Sequence, residues 1–122
     1  MGDELKTLAW IGSSQKDLKS FPEGVRKDVG YALYLAQTGD KHEAAKVLKG
    51  FGGAGVLEVV DDHDGNTFRA VYTVRFEDAV YVLHAFQKKS KKGAATPKKD
   101  IDLIRRRLQL AEQLHRASKE SG

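Results

Sequence analysis

The stretch "GVLEVVDDHDGNTFRAVYTVRFEDAVYVLHAFQKK" (55–89) contains three strand patterns separated by two short turns. Its middle part, Thr67 to Phe76, alternates with the period of two that is typical of a β-strand. A turn rich in Asp, Gly and Asn precedes this part, and the short turn "EDA" follows it. Strands joined by such short connections pair with their neighbours in the opposite direction, so the stretch predicts an antiparallel meander.

The residues before the meander predict one more strand and two helices. Thr7 to Gly12 has the pattern of a strand, and "SQKDLKSF" that of a short helix. In the next helix, Ser20 and Glu23 have capping-box spacing, Pro22 lies in the first turn and Gly39 ends the helix. "DKHEAAKVLKG" is expected to add a helical turn or two. Apolar residues at helical spacing form the buried stripe of the longer helix: Val25, Val29, Ala32, Leu33 and Ala36.

The residues after the meander predict a final helix in "TPKKDIDLIRRRLQLAEQLHRASKE". Thr96 suits the N-cap and Pro97 the first helical position. The apolar stripe is expected at Ile101, Ile104, Leu108 and Ala111, and the tail from about residue 117 is expected to fray. The predicted class is α+β: a small, mostly antiparallel sheet with two N-terminal helices on one face and a C-terminal helix, which leaves the second face at least partly open.

The composition excludes several classes of protein. At 122 residues the chain is expected to be a single domain over residues 1–122. It contains no cysteine, which excludes disulfides and thiolate metal sites and fits a reducing cytoplasm. No apolar run reaches about 18 residues, so no membrane span is expected. The segment "MGDELKTLAW" lacks the basic and apolar regions of a signal peptide.

The charge is distributed unevenly along the chain. Residues 1–87 carry 10 Lys and Arg against 13 Asp and Glu, a net charge of −3. Residues 88–122 carry 11 Lys and Arg against 4 Asp and Glu, a net charge of +7. A basic segment on an acidic body indicates a polyanionic partner, while a solvated tail and helix face is the plainer interpretation.

Alternation in the meander separates a core face from a second face. Phe68 and Tyr72 share the core face, so Arg69 projects from the opposite one. Glu58 of the preceding strand is expected on the same side as Arg69. The two side chains form either a half-exposed cross-strand pair or a site in which Glu58 orients Arg69 toward a phosphate.

Six lysines surround the end of the third meander strand. Two end that strand, two follow it, and two lie in the first turn of the last helix, where the helix dipole already creates positive potential. A helix N-terminus with lysines is suited to phosphate, so these residues are candidates for binding RNA. They are Lys88, Lys89, Lys91, Lys92, Lys98 and Lys99.

The remaining motifs give no metal or cofactor site. His84 is either a packed residue of its strand or, if it faces the second side of the sheet, a general base matched to neutral pH. His63 lies among acidic residues in "DDHDGN", which suits a turn better than a metal site. His42 and His115 are expected at the surface. "GFGGAG" lacks the pattern of a phosphate loop.

The run from Leu48 to Leu108 resembles the RelE/ParE superfamily of toxins from type II toxin–antitoxin systems. The marks are the strand with Glu58, the sequence "FRAVY" after a turn, and "LHAFQKKSKKGAATP" before the helix. Together they are similar to the phage-derived, HigB-like branch. The resemblance implies a single RelE-like toxin domain in the cytoplasm. Its partners would be a helix-turn-helix antitoxin, operator DNA through that antitoxin alone, mRNA and the ribosome.

The resemblance also implies an activity without metal or cofactor. Most characterised members of the RelE and HigB branches are endoribonucleases that cut mRNA in the ribosomal A site, by attack of the 2′-hydroxyl on the adjacent phosphate. The family's strand arginine corresponds to Arg69, and its basic pair to Lys88 and Lys89. Val60 departs from the pattern, since a basic residue often stands there. After Lys89 there is no match for the tyrosine or histidine base of some members. A non-nuclease toxin or a binding module, such as a ParE-like inhibitor of DNA gyrase, therefore remains the alternative.

Overall fold

A computed structural model of the chain describes residues 4–53, 55–88 and 95–121. Every element in it except β2 matches a predicted element to within a few residues. The strands are β1 (Thr7–Trp10), β2 (Ala45–Val47), β3 (Val56–His63), β4 (Asn66–Thr73) and β5 (Ala79–Lys88), and the helices are α1 (Ser14–Lys19), α2 (Glu23–Gln37) and α3 (Lys98–Ser121).

The five strands form one mixed sheet in the order β1-β5-β4-β3-β2. β2 to β5 pair in antiparallel fashion, as predicted for the meander, while β1 runs parallel to β5. β5 therefore lies between two strands, which explains why it is apolar on both faces. The predicted α+β class with a mostly antiparallel sheet is confirmed.

α1 and α2 pack on one face of the sheet. The predicted stripe of α2 is at most 2% exposed at each of its five positions. It meets Leu57 and Val59 of β3 and Phe68, Ala70 and Tyr72 of β4, which alternation assigned to the core. Complete burial of a large apolar side chain contributes about 1.5–3 kcal/mol, so this core fixes which face of β4 points inward.

α3 covers the other face, so the expectation of a partly open face is wrong. Ile104 is fully buried and Leu108 is 6% exposed, and both pack with Val71 of β4 and Leu83 of β5. The apolar stripe of α3 needs an apolar surface to cover, and this face of the sheet provides one. As a consequence Arg69, which lies on this face, is only 3% exposed.

β2 forms where the sequence predicted additional helix. Gly39, with φ +88°, follows the end of α2. Ala45 then pairs with Val59 and Val47 with Leu57 at the edge of the sheet. Ala45 is 3% exposed and joins the core under α2. The helical prediction is wrong because pairing with a strand edge and burial override a modest local helix preference.

The helix starts also differ from the predicted caps. α2 begins after Pro22 without a side-chain cap, and Ser20 Oγ donates to the Asp17 carbonyl at 2.6 Å. The capping-box prediction is wrong because Ser20 already closes α1. α3 begins at Lys98, and the Thr96 hydroxyl donates to Glu58 Oε2 on β3 at 2.7 Å.

Candidate active site

A β-bulge in β5 decides where His84 points. The pairing of β4 with β5 joins Val71 to His84 and Tyr72 to Val82, which leaves Leu83 as the extra residue. Val82 belongs to the core under α2, whereas Leu83 belongs to the core under α3. Strict alternation would return His84 to the side of Val82. The bulge instead turns His84 toward α3, on the same side of the sheet as Arg69.

Arg107 of α3 holds this bulge. Its Nη1 atom donates to the Leu83 carbonyl at 2.9 Å and its Nη2 atom to Ser13 Oγ at 3.1 Å. Burial lowers the pKa of the Arg107 guanidinium. Gly12 adopts φ +58°, and a Cβ atom there would lie 2.8 Å from Arg107 Nε. Arg107 was not predicted from the sequence, since nothing local distinguishes it from its two arginine neighbours.

His84 forms a pair with Asp100 in the first turn of α3. The Nε2 and Oδ1 atoms are 2.8 Å apart, and the two side chains are 8% and 13% exposed. An ionised carboxylate accepts but does not donate, so we assign the proton to Nε2 and the lone pair to Nδ1. Nδ1 is buried and has no hydrogen-bond partner among the described residues. The Phe86 ring stacks on His84 with centroids 4.5 Å apart.

Arg69, Glu58 and Thr96 form a second buried group beside this pair. Arg69 Nη1 donates to Glu58 Oε1 at 3.3 Å and to Thr96 Oγ1 at 3.2 Å. The side chains of Arg69 and Glu58 are 3% and 12% exposed. The predicted cross-strand pair therefore exists, but it is buried and not half-exposed. It ties β3 and β4 to the residues that lead into α3.

The structure brings part of the predicted lysine group together. Lys88 Nζ donates to the Ala95 carbonyl, just before α3. Lys98 and Lys99 are exposed in the first turn of α3, and Lys98 Nζ lies 3.0 Å from Asp102 Oδ2. The other predicted lysines fall outside the described residues: Lys89, Lys91 and Lys92.

The acidic turn between β3 and β4 adjoins the end of β5, where Thr67 pairs with Lys88, but its Asp61 side chain faces Asp28 of α2, on the side of the sheet opposite Arg69. His63 Nε2 is 3.4 Å from Asp64 Oδ2, and burial together with a hydrogen bond to the Asp28 carboxylate raises the pKa of Asp61 to about 6. Within residues 4–53, 55–88 and 95–121, no three histidine or acidic side chains are arranged to hold a metal ion. The site geometry consequently rests on the His84 pair and the Arg69 group.

His115 is not a surface residue, contrary to the sequence prediction. Its side chain is 14% exposed, and its Nε2 atom lies 3.3 Å from Asp78 Oδ1. Its Nδ1 atom is 3.2 Å from the Tyr81 hydroxyl, and the Phe76 ring stacks on it with centroids 4.2 Å apart. The residue is drawn inward because the far end of α3 packs on the start of β5. His42, by contrast, lies beside Tyr31 on α2.

Comparisons with known proteins give a family and a fold. The sequence profile of the family described as "Phage derived protein Gp49-like (DUF891)" matches residues 16–109. A comparison with curated protein sequences found no match. None of the helices in the described part of the chain has both the length and the apolar character that crossing a bilayer requires.

Two solved structures are similar to the chain. A free-state mutant of the E. coli toxin RelE has 20% identity and a TM-score of 0.51, covering 66% of this chain and 81% of its own. The toxin–antitoxin complex RelBE2 from Mycobacterium tuberculosis has 17% identity and a TM-score of 0.47, covering 72% of this chain and 97% of its own. The family match spans more than half of the sequence and agrees with the predicted resemblance to RelE-like toxins. The chain therefore belongs to the Gp49-like family of phage-derived proteins and has the RelE-like fold.

Proposed function

We propose that the protein is the toxin of a type II toxin–antitoxin pair and that it cuts mRNA bound to the ribosome. The fold is shared with a protein described as a toxin, E. coli RelE. The observation that carries the catalytic part of the proposal is the pair of His84 and Asp100, 2.8 Å apart. It lies on the side of the sheet where the basic strand end and the start of α3 meet.

RNA cleavage of this kind needs a base for the 2′-hydroxyl proton. In the proposed step the 2′-oxygen bonds to phosphorus and the bond from phosphorus to the 5′-oxygen breaks. The products are a 2′,3′-cyclic phosphate and a 5′-hydroxyl. His84 Nδ1 takes the proton, and Asp100 keeps the imidazole in the tautomer that leaves this lone pair available. The protonated imidazole then supplies the proton for the departing 5′-oxygen.

The phosphate gains negative charge during this step and needs nearby cations. Lys88 at the end of β5 and the lysines in the first turn of α3 lie on the same side of the sheet as His84. The positive end of the α3 dipole adds to their positive potential. We retain as a proposal that Arg69 contributes charge to this phosphate. Its buried contacts with Glu58 and Thr96 support a further role, which is to position the start of α3 and hence Asp100.

The partner that fits this proposal is a co-encoded antitoxin with an acidic segment. Carboxylates placed against the basic strand end would be favourable in charge and would deny the site to RNA. In this proposal the toxin contacts operator DNA only through a helix-turn-helix antitoxin.

The test of the catalytic assignment is to map RNA 5′ ends after brief induction in cells and with purified ribosomes. His84→Gln and Asp100→Asn should each lower the cleavage rate by about 10²–10⁴-fold, the usual contribution of general acid–base catalysis. Asp102→Asn is the matched control, because it neutralises an exposed carboxylate on the same turn of α3. The melting temperature of every variant should be measured, to establish that each is folded at the assay temperature. Wild-type rates in both site variants would refute the assignment.

A toxin that does not cut RNA is the second candidate, with DNA gyrase as its target. The observation in its favour is that Arg69 and His84 are 3% and 7% exposed, which suits structural roles. In that case induction would arrest growth, trap cleaved DNA on gyrase and create no new RNA ends. Arrest that a gyrase-resistant strain does not relieve would remove this candidate.

A further inference from the structure

A cleft of about 310 Å³ opens beside His84, on the outer edge of β5. β1 pairs with β5 only from Ala79 to Val82, so within the described residues the later part of β5 pairs with β4 on one edge and with no strand on the other. α1 lies across this gap and closes it from one side. Besides His84, the cleft is lined by three aromatic residues (Phe21, Phe68 and Phe86) and three polar ones (Asp17, Ser20 and Gln87).

Asp17 is held in place at the wall of this cleft. Its Oδ2 atom accepts a hydrogen bond from Ser13 Oγ at 2.7 Å. Ser13 in turn accepts from Arg107 Nη2 at 3.1 Å, and the same guanidinium holds the bulge that carries His84. Among the described residues no hydrogen bond reaches Asp17 Oδ1. The carboxylate therefore keeps an acceptor oxygen available and has a fixed relation to His84.

The lining has the character of a nucleobase site. A flat base needs an apolar surface on which to stack and polar groups at its edge. The partly buried Phe86 ring supplies the first, over a floor formed by the buried Phe21 and Phe68 side chains, and the three polar residues supply the second. Phe86 is only partly buried and contacts His84 directly, so a base in the cleft belongs to a nucleotide next to the reacting phosphate. The two remaining polar residues, Ser20 and Gln87, are both exposed. Gln87 is able to donate or accept, whereas Ser20 Oγ already donates to the Asp17 carbonyl and is left to accept.

The chemistry of Asp17 selects one base. A carboxylate only accepts, and guanine is the base whose Watson–Crick edge places two donors side by side, N1–H and the 2-amino group. Adenine and cytosine place one amino group beside an acceptor nitrogen, and uracil places N3–H between two carbonyl oxygens. Each of these three would bring a lone pair against the carboxylate. We propose that the cleft binds a guanine base of the RNA next to the cleaved phosphate, with Asp17 accepting from N1–H and the 2-amino group.

This proposal rests on the proposed RNA-cleaving function, but binding tests it separately. Guanosine, inosine and adenosine 3′-monophosphates should be titrated into the wild-type protein while its amide NMR signals are followed. Inosine lacks the 2-amino group, so its monophosphate should bind more weakly than that of guanosine. Adenosine monophosphate should bind more weakly than guanosine monophosphate by about tenfold or more. The largest signal changes are expected at Asp17 and Phe86. Equal affinities for the three nucleotides would overturn the proposal.

The cleavage test uses three RNAs of the same sequence that differ only in the nucleotide beside the preferred cleavage site, which is guanosine, inosine or adenosine. Cleavage should fall when guanine is replaced, and Asp17→Asn should abolish this difference between the bases. Glu43→Gln is the control, since it removes the same charge from an exposed position and should keep the guanine preference. The base replacements probe the cleft without any protein variant, so a folding defect in Asp17→Asn does not obscure the result. Cutting without base preference would refute the guanine site alone, whereas absence of any cutting would refute the proposed function.

Discussion

At the scale of single residues, Arg69 and Glu58 form an ion pair whose side chains are both almost completely buried. Two charges removed from water need excellent mutual contacts to offset their lost hydration. Here Thr96 supplies an additional hydrogen bond to each of them. A half-exposed pair, as the sequence suggested, would contribute about 0–1 kcal/mol, whereas removal of one partner from a buried pair has a much larger effect.

Arg69→Met should lower the free energy of unfolding by about 3–5 kcal/mol, because it leaves the Glu58 carboxylate buried without its cation. The double variant Glu58→Met with Arg69→Met should recover most of that loss. Denaturant titrations of wild type, both single variants and the double variant measure the coupling. Lys98→Met is the control, since its pair with Asp102 is exposed and its loss should leave stability unchanged. A loss below about 1 kcal/mol in Arg69→Met would show that the pair contributes little.

The double variant also tests the proposed contact between Arg69 and the phosphate, because it is expected to be folded. If the guanidinium stabilises the transition state, this variant should cut RNA about 10²–10³-fold more slowly than wild type. An unchanged rate would assign Arg69 to the architecture of the site alone.

At the scale of elements, the contact between α3 and the bulge in β5 sets the geometry of the site. Arg107 satisfies the Leu83 carbonyl, which the extra residue removes from the regular ladder. The first residue of α1 contributes as well, because Ser14 Oγ donates to the neighbouring Val82 carbonyl at 3.0 Å. In the loop before α1, Gly12 leaves room for the Arg107 side chain to cross. The orientation of His84 thus depends on three elements that are far apart in sequence.

Gly12→Ala should destabilise the protein through two effects, one on the backbone and one on the Arg107 side chain. Combining it with Arg107→Met separates them. An alanine in the left-handed region costs about 1–2 kcal/mol, and its Cβ would also displace the Arg107 side chain. In the Arg107→Met background only the backbone cost should remain. The measurement is a double-mutant cycle in denaturant. Gly39→Ala is the control, because Gly39 has φ +88° and a Cβ added there would meet no atom within 4 Å, so its cost should be equal in both backgrounds. Strict additivity for Gly12 and Arg107 would contradict the contact.

At the scale of the whole molecule, residues 1–87 and residues 88–122 differ in net charge, and both parts contribute side chains to the site. The acidic body contributes the sheet, while the basic segment from Lys88 onward leads into α3. A partner that carries phosphates is attracted to one side of the molecule and repelled elsewhere. Binding through phosphates releases counterions and therefore weakens as salt rises.

Replacement of four lysines by alanine tests this directly: Lys88, Lys89, Lys91 and Lys92. The slope of log affinity against log salt for single-stranded RNA should become shallower by about 0.7 for each phosphate that the variant no longer neutralises. Fluorescence anisotropy at a series of salt concentrations gives the slope. The matched control removes the same charge from exposed positions elsewhere: Lys27, Lys41, Lys46 and Lys49. If both quadruple variants change the slope equally, net charge and not the basic segment is responsible.

Much of the architecture followed from local pattern. Alternation in β4 assigned Phe68 and Tyr72 to the core and Arg69 to the other face, and the structure agrees. Turn chemistry placed the reversal before β4, and helical spacing identified the buried stripes of α2 and α3. These properties depend on neighbours a few residues apart, so the sequence contains the information for them.

The tertiary structure alone decided the remaining features of the site. The sequence left the face of His84 open, because that face depends on the register between β4 and β5 and on the bulge at Leu83. The burial of Arg69 depends on α3 crossing the second face, and β2 exists because β3 offers it an edge. Arg107 was indistinguishable from its neighbours until the helix was placed on the sheet. Each of these features arises from contacts between segments that are distant in sequence. The free energy of such contacts exceeds the local preference for helix or strand, and no periodic pattern in the sequence encodes them.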